Sequence, residues 1–292
     1  MKMDFLENPV LTPRLETKNP HPRDAYIHFE EESHTYTIDL TPPDKPYTSV
    51  TTWIHTLFPH FDADKIIDRM MRSKRWTLSP YYGQTKEEIK KGWEKNRDEA
   101  ASNGTKMHFQ IECFYNLESN EQRDLIDACE SFDSRDSELS IIPLEFSYFL
   151  EYEHQRLNKE IFPEYDLVPY RTEWTIFDES LFIAGSVDMI YECRRTGHLV
   201  IVDWKRSKEI KKTNGWENAS IDCISHLPNS NFWHYSLQLN MYKYILEKQY
   251  KKKVVGLCVV CLHPNNGYLR YKVPILDEEI KSLIEYRKSQ LK

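Results

Sequence analysis

The sequence lacks any long hydrophobic run and any secretion signal. Its 292 residues include no stretch of about 18 consecutive apolar residues, the length at which a membrane span is suspected. No positively charged start is followed by an apolar segment, as a signal peptide would require. We therefore expect a soluble, intracellular protein without a membrane partner.

Cysteine is too scattered to form a disulfide framework. The six cysteines stand at positions 113, 129, 193, 223, 258 and 261, without the dense spacing of a small secreted domain. Cys258 and Cys261 form the one close pair, inside the apolar run from Val254 to Leu262, which predicts a buried strand. Because side chains alternate along a strand, the two thiols would point to opposite faces. We therefore expect neither an iron–sulfur cluster nor a zinc site here.

The chain also lacks an excess of positive charge. A formal net charge of −7 argues against coating nucleic acid by bulk electrostatics. It does not exclude a local basic groove, because phosphate contacts act at short range in physiological salt. The candidates for such a groove follow one strand-like run directly: Lys205, Arg206, Lys208, Lys211 and Lys212. The outer lysines are equally well explained as a solvated charged surface.

What the sequence does contain is a distinctive hairpin pattern from Ile183 to Lys208. Two runs rich in β-branched and aromatic residues flank the polar turn at residues 194–197, which ends in glycine. If the turn is symmetric about the bond between residues 195 and 196, Asp188 lies opposite Asp203. Directly opposed Cβ atoms are roughly 4.5–5.5 Å apart, so two carboxylates there repel each other.

The period of a strand places an amine beside these two acids. Lys205 shares a face with Asp203, and the other face carries apolar side chains, namely Val187, Met189, Val202 and Trp204. A divalent cation would offset the repulsion, because carboxylate oxygens suit Mg²⁺ or Mn²⁺. The alternative is a surface hairpin with solvated side chains. A β-bulge would remove the direct pairing of Asp188 with Asp203, but the two side chains would still lie on the same face of the hairpin.

The remaining pattern predicts helices and strands around this hairpin. Residues 1–24 read as an irregular N-terminal arm. A small hairpin about residues 32–34, a helix capped by Ser49 or Thr51, and helical segments from 62 to 116 follow. Residues 131–140 read as a loop. A strand at 168–177, a loop at 213–231, a helix at 232–250 and a hairpin at 254–273 complete the pattern, and Asp277 is the expected cap of a last helix.

Two further short motifs carry polar side chains. Gly104 and Thr105 are expected to open a helix that places His108 and Glu112 on one face, four residues apart. Such a pair is also common as a core histidine bonded to an acid. In the helix from 232 to 250, Gln238 and Tyr242 share a face in the same way.

Together these motifs resemble the PD-(D/E)xK nuclease superfamily, and within it the RecB-type exonuclease branch. The resemblance rests on the order of four pieces: residues 104–108 with Glu112, residues 185–188, residues 203–205, and the QxxxY pattern at 238–242. A weaker likeness, from His34, Tyr36 and residues 48–51, extends to nucleases like the mitochondrial genome-maintenance exonuclease and those of large DNA viruses.

The resemblance implies an α/β fold of the restriction-endonuclease-like kind, a mixed central sheet flanked by helices with an N-terminal helical lobe. It divides the chain into the arm at 1–24, a hairpin and helical lobe at 25–103, and a nuclease core at 104–292. It also implies a Mg²⁺- or Mn²⁺-dependent exonuclease acting on DNA, single-stranded or with free ends, in repair, replication or recombination. The alternative is an inactive nuclease fold that binds nucleic acid.

The resemblance also assigns roles to residues. Asp188, Asp203 and Lys205 would be catalytic, together with Glu173 on the preceding strand. The metal would be held by His108, Asp188, Asp203 and the carbonyl of Trp204, with Glu112 orienting His108. The substrate would be contacted by Gln238, Tyr242, Arg206 and Lys208. Glu173 could also be an ordinary surface glutamate.

Overall fold

The computed structural model describes residues 12–41, 45–130 and 142–291. Within these residues a six-stranded mixed sheet has helices on both faces, and a two-stranded sheet lies beside it. The loop expected at 131–140 lies outside the described residues, as do residues 1–11 of the expected arm. No helix in the described ranges is both long and apolar enough to cross a membrane.

The described part of the N-terminal arm contains helical turns where an irregular segment is expected. Helix α1 spans Arg14–Lys18 and a 3-10 turn spans Pro22–Tyr26. Asp24 accepts hydrogen bonds of 2.8 Å from the side chains of Arg171 and Trp174, which lie on a strand of the central sheet. The helical turns are thus held in place by a contact distant in sequence.

A small hairpin and a capped helix follow, as the sequence predicts. Strands β1, Ile27–Glu30, and β2, Thr35–Ile38, pair antiparallel. The short strand β3, Thr48–Ser49, leads directly into helix α2, Val50–His55. The side chain of Ser49 accepts a hydrogen bond of 3.0 Å from the backbone N–H of Thr52, so the prediction of Ser49 as the cap is confirmed.

The helical lobe consists of α3, Ala63–Met71, a 3-10 turn at Trp76–Leu78, and the first part of α4, Lys86–Tyr115. A reciprocal capping box of Thr85 and Glu88 starts α4. The expectation that a helix opens at Gly104 is therefore wrong, because Gly104 lies inside α4. The boundary drawn between residues 103 and 104 falls within this continuous helix, and the domain division stays a prediction.

Two more helices precede the central sheet, α5 at Ser119–Glu130 and α6 at Leu144–Leu157. The strands of the sheet are then β4 (Leu167–Asp178), β5 (Ile183–Cys193), β6 (Leu199–Lys205), β7 (Val254–His263) and β8 (Gly267–Lys272). Along one edge β5 pairs with β4, and along the other it pairs with β3 near its start and with β6 near its end; β7 and then β8 follow β6. The pairs β3–β5 and β6–β7 are parallel and the others antiparallel.

Helix α7, Asn231–Gln249, connects the parallel strands β6 and β7, and α8, Asp277–Gln290, ends the described chain. Asp277 is the first residue of α8 and not its cap, contrary to expectation. Its carboxylate instead lies 2.9 Å from the amine of Lys243 on α7. This ion pair joins α8 to α7 at the surface, and apolar residues of both helices pack in the same core beneath it.

Each face of the sheet buries its own hydrophobic core. Helices α2, α7 and α8 cover one face, and helices α4, α5 and α6 cover the other. Cys258 and Cys261 lie in different clusters, as the alternation along β7 predicts. The predicted fold, a mixed sheet flanked by helices, is confirmed.

Candidate active site

The central hairpin has the predicted register and opens into a fork. Met189 lies opposite Val202, and the ladder continues from there towards the turn. Before Met189 the pairing with β6 stops, and β3 takes the same edge of β5 at residues 183–184. Residues 185–188 therefore face a gap between β3 and β6. Asp188 and Asp203 are the first residues beyond the last ladder pair, one on each branch of the fork.

The carboxylate of Asp188 reaches across the fork to the neighbouring strand. Its Oδ2 accepts a hydrogen bond of 2.9 Å from the backbone N–H of Trp204. The side chain thus satisfies a strand donor that has lost its ladder partner. Only 9% of the Asp188 side chain is exposed, so this carboxylate is held in one position.

Three side chains from three elements meet at this fork: His108 of α4, Glu173 of β4 and Asp188 of β5. One ligand atom from each lies within 4.8 Å of the other two. His108 Nδ1 is 3.5 Å from Glu173 Oε1 and 3.6 Å from Asp188 Oδ2. The site therefore depends on packing between segments that are far apart in sequence.

Glu173 has an unusual backbone conformation. Its φ of 42° lies in the left-handed region, which costs an L-residue about 1–2 kcal/mol. Its neighbours keep the ladder register, with Thr172 opposite Met189 and Trp174 opposite Val187. Its Oε2 accepts a bond of 2.9 Å from the hydroxyl of Ser186.

The expectation that Val187 shares an apolar face with Met189, Val202 and Trp204 is wrong. Val187 packs in the core on the opposite face, which also contains its ladder partner Trp174. Simple alternation does not hold along β5 at this point, next to the fork and opposite the left-handed residue of β4.

The carbonyl of Trp204 orients His108. His108 Nε2 lies 2.9 Å from this oxygen, which can only accept, so Nε2 carries the proton. Nδ1 then faces the two carboxylates. A histidine that binds a metal commonly donates its other N–H to a backbone carbonyl. The Trp204 carbonyl thus contacts His108 directly. The metal-ligand role expected for this carbonyl and the orienting role expected for Glu112 stay predictions.

Asp203 and Lys205 lie on one face of β6, as the strand period predicts. Lys205 Nζ is 2.8 Å from Asp203 Oδ2, and the side-chain amide of Gln238 donates a bond of 3.1 Å to Asp203 Oδ1. Asp203 is 2% exposed. The lysine and the glutamine thus hold the carboxylate from two sides. Asp203 lies outside the three-residue group formed by His108, Glu173 and Asp188.

Gln238 and Tyr242 are buried behind the site. Their exposed fractions are 7% and 3%, and the amide of Gln238 is 3.4 Å from the hydroxyl of Tyr242. The ring of Tyr242 packs on Gly185, where an added Cβ would lie 2.7 Å from ring atom Cε1. Gln238 thus contacts Asp203, and Tyr242 contacts β5 at Gly185. That the two residues contact the substrate stays a prediction.

Tyr235, which lies outside the motifs of the sequence, also contacts the site. Lys205 Nζ lies 5.0 Å from the centre of its ring, within the range of a cation–π interaction. Tyr235 precedes Gln238 by three residues on α7, so the two share a helix face. That spacing was the signal available in the sequence.

The basic residues after β6 differ in their surroundings. Arg206 is largely buried, and its Nε donates a bond of 2.6 Å to Glu145 of α6. Lys208 is exposed. The pairing of Arg206 joins β6 to α6 and leaves Lys208 as the more accessible of the two cations expected to contact substrate.

Burial dominates the electrostatics of the acids. It raises the pKa of Asp188 and of Asp203, and nearby cations offset this only in part. Burial, followed by repulsion from Glu173, raises the pKa of Glu112 to about 7. Burial makes the ionised form of these carboxyl groups costly, and a cation bound beside them would stabilise that form.

The cations respond in the opposite sense. Burial alone would lower the pKa of His108, but the charge of Asp188 and the hydrogen bond and charge of Glu173 raise it to about 9. Burial would also lower the pKa of Lys205, but the charges of Asp203 and Asp188 outweigh it and raise that pKa. Lys205 is therefore an ammonium group, a donor of hydrogen bonds.

The residues at the fork fit a divalent metal ion. The three-residue group offers one imidazole nitrogen and two carboxylates, donors that suit Mn²⁺ and, through the oxygens, Mg²⁺. In addition, Asp203 Oδ2 is buried and accepts no hydrogen bond of good geometry from the described residues, although Lys205 lies beside it.

The protein is a restriction-endonuclease-like α/β protein. Its defining features are the mixed sheet, the flanking helices and the forked hairpin that carries the acids and the lysine. Residues 79–290 match the family model of the PD-(D/E)XK nuclease superfamily, and the chain belongs to that superfamily. Membership implies a nucleic-acid substrate, and nucleases of this superfamily generally use divalent metals.

No curated protein matches the chain. Among solved structures, one titled "Crystal structure of SSO0001" aligns with 14% identity and a TM-score of 0.23, over 61% of this chain and 88% of that one. That similarity is too slight to support a structural conclusion.

Proposed function

We propose that this protein is a divalent-metal-dependent deoxyribonuclease that hydrolyses phosphodiester bonds. The observation that carries the proposal is the convergence of His108, Glu173 and Asp188 at the fork, beside the pair of Asp203 and Lys205. A merely structural hairpin has no need to bury like charges there, because burying a carboxylate is costly.

His108, Glu173 and Asp188 would hold the metal, with Asp203 as a further ligand. When bound, the metal polarises the scissile phosphate and lowers the pKa of a coordinated water molecule. His108 presents Nδ1 because Nε2–H is bonded to the Trp204 carbonyl. Gln238 keeps Asp203 oriented, and Tyr242 in turn supports Gln238 and Gly185.

Lys205 acts on the substrate. Its ammonium group would position the attacking water or stabilise the negative charge that develops on the phosphate. Tyr235 lies against this amine and limits the positions it can occupy. Lys208, exposed after the end of β6, would contact the phosphate backbone of the bound strand.

We further propose an exonuclease that acts on single strands or free ends, in repair, replication or recombination of DNA. The support is the QxxxY motif and the helix histidine, which resemble those of the RecB-type branch. The weaker likeness of His34, Tyr36 and residues 48–51 supports a role similar to that of mitochondrial genome-maintenance exonucleases or of nucleases of large DNA viruses.

The experiment compares Lys205→Ala with the wild type on end-labelled DNA in Mg²⁺, in Mn²⁺ and in EDTA. We expect cleavage by the wild type in either metal and none in EDTA. The variant should lose cleavage by a factor of about 10² or more, because one preorganised donor is worth roughly that in mutagenesis. Lys91→Ala, which removes an exposed lysine of α4, is the matched control and should cleave normally.

Full activity of the Lys205 variant, or cleavage by the wild type in EDTA, would contradict the proposal. A circular single strand tested beside a linear one decides the mode of attack. Cleavage of the linear strand alone indicates an exonuclease, whereas loss of the circle indicates an endonuclease.

A further inference from the structure

A cavity of about 700 Å³ lies between the helical lobe and the core. We call it the Trp216 pocket; its lining includes Phe61, Ile66, Arg69, Trp216 and His234. His234 precedes Gln238, the partner of Asp203, by four residues of α7. Four residues span about 6 Å along a helix, so the pocket begins one helical turn from the candidate active site.

Trp216 is presented on a fixed turn. The side-chain oxygen of Asn214 accepts hydrogen bonds of 3.0 Å from the backbone N–H groups of both Trp216 and Glu217. The amide of Asn214 donates a bond of 2.6 Å to the carbonyl of Asn229. The indole is nevertheless 88% exposed. Because Trp216 is exposed to solvent, its side chain contributes little to the hydrophobic core. Its backbone is held in place by hydrogen bonds, so the ring is available to bind a ligand.

Aromatic rings also lie on the other sides of the pocket. Phe61, at the start of the lobe, is 63% exposed, and its ring centre lies 6.0 Å from that of Trp93. The ring of His234 lies 4.1 Å from that of Phe58. The exposed ring of Phe61 therefore faces the pocket from the lobe, and the half-buried ring of His234 faces it from the core.

The charges in the lining balance. Lys65 is 3.2 Å from Asp62, and Glu217 accepts a bond of 3.2 Å from the side chain of Asn229. Arg69 supplies the second positive charge to set against these two carboxylates. A pocket of this kind does not attract phosphate strongly. Its chemistry suits a flat, uncharged, polar-edged ring.

We propose that the Trp216 pocket binds unpaired nucleobases of a single strand by stacking on Trp216 and Phe61. The proposal rests on the nuclease function proposed above and specifies its substrate class. Bases of a duplex are stacked on each other and paired at their edges, so a strand must be single to place a base here. The backbone of that strand would then follow α7 towards Asp203 and Lys205.

The test measures the affinity of the full chain for a fluorescein-labelled oligodeoxythymidylate and for a labelled duplex, by anisotropy in EDTA. Stacking on one aromatic is worth about 1–3 kcal/mol per base. Trp216→Ala should therefore raise the Kd for the single strand by about 5- to 150-fold and leave that for the duplex unchanged. Trp216→Tyr should retain most of the affinity, because it keeps an aromatic ring.

Two controls separate stacking from other effects. Leu78→Ala removes another exposed apolar side chain, 83% exposed and outside the pocket lining, and should bind as the wild type does. The slope of log Kd against log salt should be the same for Trp216→Ala and the wild type, because no phosphate contact is lost.

Wild-type affinity in Trp216→Ala, or a wild type that does not bind the single strand, would overturn this inference. Equal losses for the single strand and the duplex would do the same. If the wild type binds as expected and Trp216→Ala weakens binding, but neither cleaves DNA in Mg²⁺ or Mn²⁺, only the proposed nuclease function fails.

Discussion

Gly185 shows how one residue without a side chain supports the site. The ring of Tyr242 occupies the space that a Cβ at this position would need, with 2.7 Å to the nearest ring atom. Tyr242 is buried and in contact with Gln238, which binds Asp203. A displacement of the Tyr242 ring would therefore shift Gln238, and through Gln238 it would shift the carboxylate of Asp203.

We predict that Gly185→Ala lowers the free energy of unfolding by about 1–3 kcal/mol, the usual cost of overpacking a core. It should also reduce cleavage, because Asp203 loses its support. Gly92→Ala is the control: nothing lies within 4 Å of its Cβ position, and alanine in a helix should stabilise by about 0.5–1 kcal/mol. Urea unfolding of both variants measures this. A Gly185→Ala variant as stable as the wild type would contradict the packing argument.

Among single residues, the strand period predicted the faces of β6 correctly, but it failed at Val187 of β5, and it gave no sign of the backbone conformation at Glu173. The prediction that Asp203 and Lys205 share a face is confirmed, because alternation is a property of any strand. The left-handed φ of Glu173 could not be predicted, since nothing local favours it for a glutamate. Strain of this kind persists only where the surrounding structure enforces it.

At the scale of elements, a buried network joins two helices to the hairpin. Glu153 of α6 accepts hydrogen bonds from Tyr115 of α4 at 2.6 Å and from Tyr191 of β5 at 2.8 Å. Arg156 donates to its carboxylate at 2.7 Å and also binds the carbonyl of Leu167, the first residue of β4. Because α4 carries His108 and β5 carries Asp188, this network fixes the distance between two site residues.

We predict that Glu153→Gln lowers the free energy of unfolding by about 3–5 kcal/mol, because it leaves the buried Arg156 without its counter-charge. Denaturant unfolding monitored by circular dichroism gives the value. Glu99→Gln breaks the exposed pair of Lys95 and Glu99 on α4 and should leave stability unchanged. Equal effects of the two substitutions would show that the network does not hold the elements together.

At the scale of the whole molecule, His234 of α7 contacts a segment that is almost 180 residues earlier in the chain. Its ring packs on Phe58 and lies near His55, and its Nε2 is 2.9 Å from the side-chain oxygen of Asn229. Burial, with a smaller effect of His55, lowers its pKa from 6.5 to about 4. The folded protein therefore keeps this histidine neutral at a pH where the unfolded chain protonates it.

The sign of the pH effect follows from this pKa shift. Above pH 6.5 the histidine is neutral in both states and adds no pH dependence. As the pH falls from 6.5 towards 4, the unfolded chain binds a proton that the folded protein does not, so stability decreases. We predict a smaller fall in Tm over this range for His234→Phe than for the wild type. Parallel curves for the two proteins would contradict the assignment.

The overall fold and the order of its motifs followed from the sequence by itself. Hydrophobic period, turn chemistry and caps are local properties, and they predicted the central hairpin, its register and the cap at Ser49. The mixed sheet flanked by helices was expected from the resemblance of the motifs to the nuclease superfamily. Tertiary structure alone decided that α4 runs unbroken through Gly104, that β5 and β6 part at Asp188, and that His108 meets Glu173 there. These features depend on contacts between residues distant in sequence, and packing outweighs local preference wherever the two compete.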